Sequence, residues 1–193
     1  MSGHGKGSGF ERDICKLLGL WWTGGLRDDI FWRSSTSGAR AKVRSGRGQS
    51  TFGQYGDIQA TDPVGQPLVD LFTIELKCGY GHASIADVLD KKETSATQAW
   101  EHWLAQAMQD RMNSDRPFWM LITRRDRRET VVFMPWNGYR SLCRAGAALT
   151  DSLPHFRFKV GALPLEHVFA TTLSEFIRHT HPDNIVTAAK EKQ

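Results

Sequence analysis

The sequence predicts an α/β chain of the α+β sandwich kind, a mixed β-sheet flanked by helices. Two stretches, about 9–22 and 94–112, carry apolar residues at helical spacing. Short apolar runs bounded by Gly, Pro and Asp lie between and after them. The resulting order through residue 134 is α-β-β-β-α-β-β, which a sheet with helices packed on it accommodates. At 193 residues the chain suits one domain with an appendage and is long enough to bury a core without disulfides or a structural metal.

Residues 1–8 read as a flexible tail. The first helix is predicted over 9–22, with Phe10, Ile14, Leu17, Leu18 and Trp21 on one face and Gly24-Gly25 as its stop. Ile30–Arg33 reads as a short strand, and 34–54 as a long polar loop rich in Ser, Gly and Arg. Tyr55–Thr61 is a second strand and Asp62–Gly65 a turn. Val69–Lys77 is a third strand, expected to pair with the second as a hairpin. In the helix over 94–112, Trp100, Trp103, Leu104, Ala107, Met108 and Met112 form an apolar stripe that reads as core. Phe118–Thr123 and Thr130–Met134 form a hairpin tipped by Arg124, Arg125, Asp126, Arg127 and Arg128. A helix is expected over 136–149, a strand over 156–160, a short helix over 171–179 and a frayed end over 182–193. Residues 135–193 are expected to be a C-terminal extension packed on the core.

Charge and cysteine usage narrow the function classes. Residues 1–48 hold nine Lys/Arg and four Asp/Glu, a net of +5, whereas 49–193 hold sixteen and seventeen, a net of −1. A basic segment beside a neutral body suits a polyanionic partner, most often nucleic acid, although many charge runs are simply solvated. Cys15, Cys78 and Cys143 are too few and too scattered for a disulfide framework or a zinc site, so a reducing, cytoplasmic setting is expected. The polar start carries no signal-peptide core, and no apolar run suits a membrane span. The GHGKGSG stretch lacks P-loop spacing, so no nucleotide cofactor is expected.

The residues best suited to chemistry are Gly56-Asp57-Ile58 and, after one turn, Ile74-Glu75-Leu76-Lys77. Strand alternation puts Glu75 and Lys77 on one face, with Ile74 and Leu76 on the other. If Asp57 lies beside Glu75, two carboxylates and an ammonium meet on a rigid sheet. Hard oxygen ligands suit Mg²⁺, and a lysine beside them suits a phosphate. An exposed Glu-x-Lys on an ordinary strand is the competing reading.

In these stretches the chain resembles the PD-(D/E)XK nuclease superfamily, and within it the archaeal-type Holliday junction resolvase-like branch with its phage-borne members. The matching pieces are Gly9-Phe10-Glu11-Arg12, Arg33-Ser34-Ser35-Thr36-Ser37-Gly38-Ala39, Gly56-Asp57-Ile58 and Ile74-Glu75-Leu76-Lys77. They span Gly9 to about Met134, roughly two thirds of the chain. The resemblance implies a restriction-endonuclease-like core, αβββαβ with C-terminal additions, over residues 9–134. It implies Asp57, Glu75 and Glu11 as metal ligands, Lys77 as the catalytic lysine, and Ser37 near the scissile phosphate. It implies Mg²⁺, with Mn²⁺ as a substitute, and cleavage of branched DNA by a homodimer, in a bacterial or phage-infected cell. A phage or restriction-type nuclease on linear DNA, and a non-catalytic DNA-binding protein on the same fold, are the alternatives.

Glu11 keeps a second reading, because Ser8-Gly9-Phe10-Glu11 also spells a helix capping box. On the long helix, Gln98 is the polar residue picked to face the site and Gln106 a further candidate, solvent exposure being the ordinary fate of either. Arg33, Arg40, Lys42, Arg44 and Arg47 are the expected phosphate contacts. Arg124 and Arg125, with the rest of the hairpin tip, are either a second contact patch or a solvated turn.

Overall fold

The computed structural model describes residues 3–34, 55–89, 98–149, 155–158 and 166–192. The predicted contact residues Ser37, Arg40, Lys42, Arg44 and Arg47 lie outside them. Helix α1 spans Gly3–Trp22, six residues longer at its start than the periodicity implied. Phe10, Ile14, Leu18 and Trp22 are its buried stripe, while Leu17 stays exposed. Strand β1 (Phe31–Arg33) pairs antiparallel with β2 (Ile58–Ala60), Arg33 opposite Ile58.

The expected hairpin between the second and third strands does not form. A 3-10 turn over Pro63–Gly65, capped by Asp62 accepting from the Val64 N–H, leads into helix α2, Gln66–Leu71. Pro67 fits a first helical turn, where its missing N–H has no partner to lose. Val69 and Leu71, expected in the strand, are instead buried on this helix together with Leu68. Strand β3 therefore begins at Phe72 and runs to Cys78.

Helices α3 (Ala86–Leu89) and α4 (Ala99–Ser114) carry the chain over to β4 (Phe118–Arg124), which lies parallel to β3 with Glu75 beside Leu121. Such a parallel neighbour needs a crossover rather than a hairpin. β4 and β5 (Thr130–Pro135) form the expected antiparallel hairpin, followed by α5 (Trp136–Arg144). β6 (His155–Phe158) and β7 (Glu166–Thr172) then complete a five-stranded mixed sheet in the order β3-β4-β5-β7-β6. Helices α6 (Leu173–His179) and α7 (Pro182–Lys190) close the chain.

Within the segment expected to fray, Pro182–Lys190 is thus an ordered helix. His181 caps it by accepting from the Asp183 N–H, and Ile185, Ala188 and Ala189 are buried. Three small or medium apolar residues make a weak periodic signal, which is why the sequence suggested fraying.

The sheet has a core on each face. On one, Ile74, Leu76, Met120, Ile122, Met134 and Phe169 pack with residues of α1, α2, α5, α6 and α7. On the other, Trp119, Leu121, Phe133 and Val168 pack with Trp100, Trp103, Leu104 and Met108 of α4. The molecule is the α/β sandwich expected, a mixed sheet flanked by helices, and residues after 134 supply two of its strands and part of the first core. No helix among the described residues is long and apolar enough to cross a membrane. Among the described residues β3 has no partner strand in the sheet beyond β4, which leaves its outer edge open to what Asp57 brings.

Candidate active site

β3 alternates as its sequence demands. Ile74 and Leu76 enter the α1-side core, so Thr73, Glu75 and Lys77 project toward α4. Glu75 is only 1 % exposed, so the Glu-x-Lys is not an ordinary surface pair.

Asp57 docks on the open edge of β3 by its own backbone and side chain. Its N–H donates to the Ile74 carbonyl at 2.7 Å, and its Oδ2 accepts from the Leu76 N–H at 2.8 Å. Strand groups of one residue point to one side, so the Leu76 carbonyl faces this same edge. The approach requires the preceding glycine. Gly56 has φ +78°, and a Cβ there would stand 2.7 Å from the Ile74 oxygen. Ser34 fixes the same turn, its N–H donating to the Asp57 carbonyl (2.8 Å) and its hydroxyl to the Gly56 carbonyl (3.0 Å). From the far side, Arg116 Nη1 donates to the Tyr55 carbonyl at 3.2 Å. Asp57 therefore reaches Glu75 without a hairpin.

Lys77 Nζ lies 3.3 Å from Glu75 Oε2 and donates to Gln106 Oε1 at 3.1 Å. Gln106 Nε2 donates in turn to the same Glu75 oxygen at 2.9 Å. Gln106 thus joins the lysine and glutamate, although solvent was its sequence-level expectation. Gln98 does not reach them. It is the N-cap of α4, with the Glu101 carboxylate accepting from its N–H at 2.8 Å. The negative charge of Asp110, one turn beyond Gln106, helps to raise the pKa of both carboxylates. Sequence reasoning missed it; its i, i+4 relation to Gln106 is the signal that could have found it.

Glu11 occupies the third turn of α1, so its capping-box reading fails: the helix starts at Gly3, not after Ser8. Its Oε2 lies 3.6 Å from Arg33 Nη1. At the Lys77 end of β3, Arg124 sits over the Phe10 ring at 4.8 Å. There a cavity of about 510 Å³ is lined by Phe10, Asp13, Cys78, Arg124, Arg125 and their neighbours.

Electrostatics follow from burial. Glu75 is pushed well above the usual carboxylate range by desolvation and by Asp57, with Lys77 offsetting part. Asp57 is raised by burial against the lowering effect of the Leu76 N–H and Lys77. Glu11 is raised by burial and by Asp57, with Arg33 opposing. The nearby Cys15 thiol is pushed up to about 12 by its burial and these carboxylates. Glu11, Asp57, Glu75 and Asp110 outweigh Lys77 and Arg33, so the site favours an added cation.

Among the described residues no group of three or more His, Cys, Asp or Glu side chains is placed to hold a metal ion, so Glu11 does not complete the expected ligand set with Asp57 and Glu75. Two carboxylates on an open edge still fit Mg²⁺, which uses one or two carboxylates with waters and substrate phosphates. A family model described as "Phage putative PDDEXK endonuclease" matches residues 2–187. No curated protein and no solved structure matches the chain. Nearly the whole chain fits that model, and the chain belongs to this phage PDDEXK endonuclease family.

Proposed function

We propose that the chain is a divalent-metal-dependent endodeoxyribonuclease with Asp57, Glu75 and Lys77 as its hydrolytic centre. The observation that carries this is the buried Asp57–Glu75 pair at the open edge of β3, Asp57 accepting from the Leu76 N–H and Glu75 from Lys77 and Gln106. Asp57 and Glu75 would hold Mg²⁺ or Mn²⁺, which when bound supplies a Lewis acid for the phosphate and activates water. Glu11 is a further acidic group beside them.

The chain's own residues position the reaction. Lys77 holds an ammonium where negative charge develops on the phosphate oxygens, and such fixed charge stabilises the transition state. Gln106 restrains it, accepting from Lys77 and donating to Glu75. Arg33, Arg124 and Arg125 present guanidinium groups to backbone phosphates, with Ser37, Arg40, Lys42, Arg44 and Arg47 as the loop's contribution.

Within this reading the substrate is branched DNA. The likeness of the segments around Glu11, Ser37, Asp57 and Glu75 to junction resolvases supports it. Symmetric nicking of a four-way junction calls for two sites, hence a homodimer. Four-way junction, linear duplex, single-stranded DNA and RNA incubated with Mg²⁺ test the whole proposal. Paired symmetric nicks in the junction are expected; preferential cutting of linear DNA would replace the branched-DNA reading, and no cutting of any substrate would remove the enzyme. Calorimetric Mn²⁺ titration of wild type against Glu75→Ala distinguishes a non-catalytic DNA binder, which would take up no ion at this edge.

A further inference from the structure

The sequence locates its excess positive charge in the first 48 residues, yet the fold assembles a second concentration elsewhere. At the Phe72/Phe118 end of the sheet lies an open cavity of about 690 Å³. Its walls carry Arg111, Arg116, Arg140, Arg144 and Lys192 against one carboxylate, Asp115. These cations come from α4, the turn after it, α5 and the chain's end.

None of the five is in an ion pair among the described residues, so no salt bridge offsets the positive charge of the cavity, as one does for Lys16, Arg27 and Arg178 elsewhere. Arg111 Nε is anchored on the Arg116 and Pro117 carbonyls at 3.2 and 3.1 Å. Arg116, largely buried, donates Nη1 to the Tyr55 and Phe72 carbonyls, and burial holds its pKa below the ordinary guanidinium value. Arg140 and Arg144 are exposed one helical turn apart on α5, where like charges repel. Five cations around one concavity, two of them fixed by backbone carbonyls, suit an anion.

The position along β3 names the anion. Phe72 stands three residues from Glu75, about 10 Å at strand rise. The Arg124–Arg125 tip flanks Cys78 at the other end of the strand, so two arginine clusters bracket the carboxylates. The strand between them is about 20 Å long, near six nucleotides of axial rise at 3.4 Å per step of one strand. The neighbouring cavity shares Arg140 and Arg144 and includes Trp136. That ring is already stacked on both Tyr139 and His167 within the protein.

We propose that this cavity is a phosphate-binding cleft that holds the DNA backbone on the Phe72 side of the cut, adding affinity without sequence preference. The inference rests on the nuclease reading for its substrate.

The test is DNA binding in EDTA across a salt series, with Mg²⁺-dependent cleavage by wild type measured in parallel. Arg140→Ala/Arg144→Ala should flatten the plot of log K against log salt by about two, one per lost phosphate contact, alike for unrelated sequences. Arg140→Lys/Arg144→Lys should retain the wild-type slope, since charge rather than shape is needed. Lys16→Ala/Arg178→Ala removes two charges outside the cleft and should leave the slope nearly unchanged. A wild-type slope in the cleft alanine variant, or equal loss in the outside variant, overturns the cleft. If wild type cuts DNA in that case, the nuclease reading stands without it. A slope that falls as expected while wild type cuts nothing keeps the cleft and removes the nuclease. Absence of DNA binding by wild type overturns the cleft, and the parallel cleavage assay decides the nuclease reading.

Discussion

Asp57 and Glu75 stand midway along the open edge of β3, buried and tied to Leu76, Lys77 and Gln106. Arg140 and Arg144 stand beyond its Phe72 end, exposed and without a carboxylate partner among the described residues. One region holds more negative charge than its surroundings neutralise, inside the protein, where each buried ion carries a desolvation cost of several kcal/mol. The other gathers positive charge in the open, where water screens it at little cost. The acidic edge therefore needs a close-fitting frame to exist at all. The basic cleft needs only that distant parts of the chain come together. Substitutions should separate the two accordingly.

The largest effect is expected at the frame. Gly56→Ala forces a Cβ to within 2.7 Å of the Ile74 oxygen at φ +78°. It should cost about 2–4 kcal/mol, a Tm loss on the order of 10 °C, and displace Asp57. A variant that melts like wild type would mean the edge tolerates slack.

Next comes a gain in stability. Glu75 and Asp57 have folded pKa values above their ordinary ones, so between those values the native state binds more protons than the unfolded chain. Their contribution is fully present below the ordinary carboxylate pKa and is lost as pH rises through the raised values. Metal-free Glu75→Gln should then melt a few degrees above wild type at pH 7, about 1–2 kcal/mol, while losing cleavage. The gain should shrink as pH falls toward 4.5, the ordinary glutamate value. A variant less stable than wild type at pH 7 would show that Lys77 and Gln106 over-compensate the burial.

Gln106→Ala and Gln98→Ala form the sharper pair. Gln106→Ala should lower kcat about tenfold, the rate equivalent of one lost positioning contact near 1.4 kcal/mol. Gln98→Ala should cost about 1 kcal/mol of stability through the α4 cap, with kcat retained. The opposite pattern would move the polar contact of the site to the start of the helix. The smallest effect belongs to the cleft. Arg140→Ala/Arg144→Ala should change stability by no more than about 0.5 kcal/mol per residue in thermal melts, as for exposed positions generally. A larger loss would make these arginines structural.

The contrast also explains what could be read from the sequence. Gly56-Asp57 and Glu75-x-Lys77 are close in sequence and governed by strand alternation, so their meeting was legible even though the assumed hairpin was not its cause. Helix α2 was hidden because Leu68, Val69 and Leu71 run straight into the apolar residues of β3, and a continuous apolar run has no period. Gln106 and Asp110 face the site only because α4 crosses the sheet at a particular rotation, which tertiary packing sets. The cleft was least legible: its cations are scattered from Arg111 to Lys192 within a stretch whose net charge is −1. Net charge by segment follows chain order, whereas the potential at a surface follows the fold.

The most direct test of the central claim is single-turnover cleavage of labelled DNA with Mg²⁺ by wild type and Asp57→Asn. Asparagine keeps an oxygen for the Leu76 N–H and removes the charge, so the fold should survive. Wild type should cut, and the variant should cut at least ~10³-fold more slowly, the several kcal/mol expected for a lost metal ligand. Equal rates in the two proteins, or no cleavage of any DNA by wild type, would contradict the assignment.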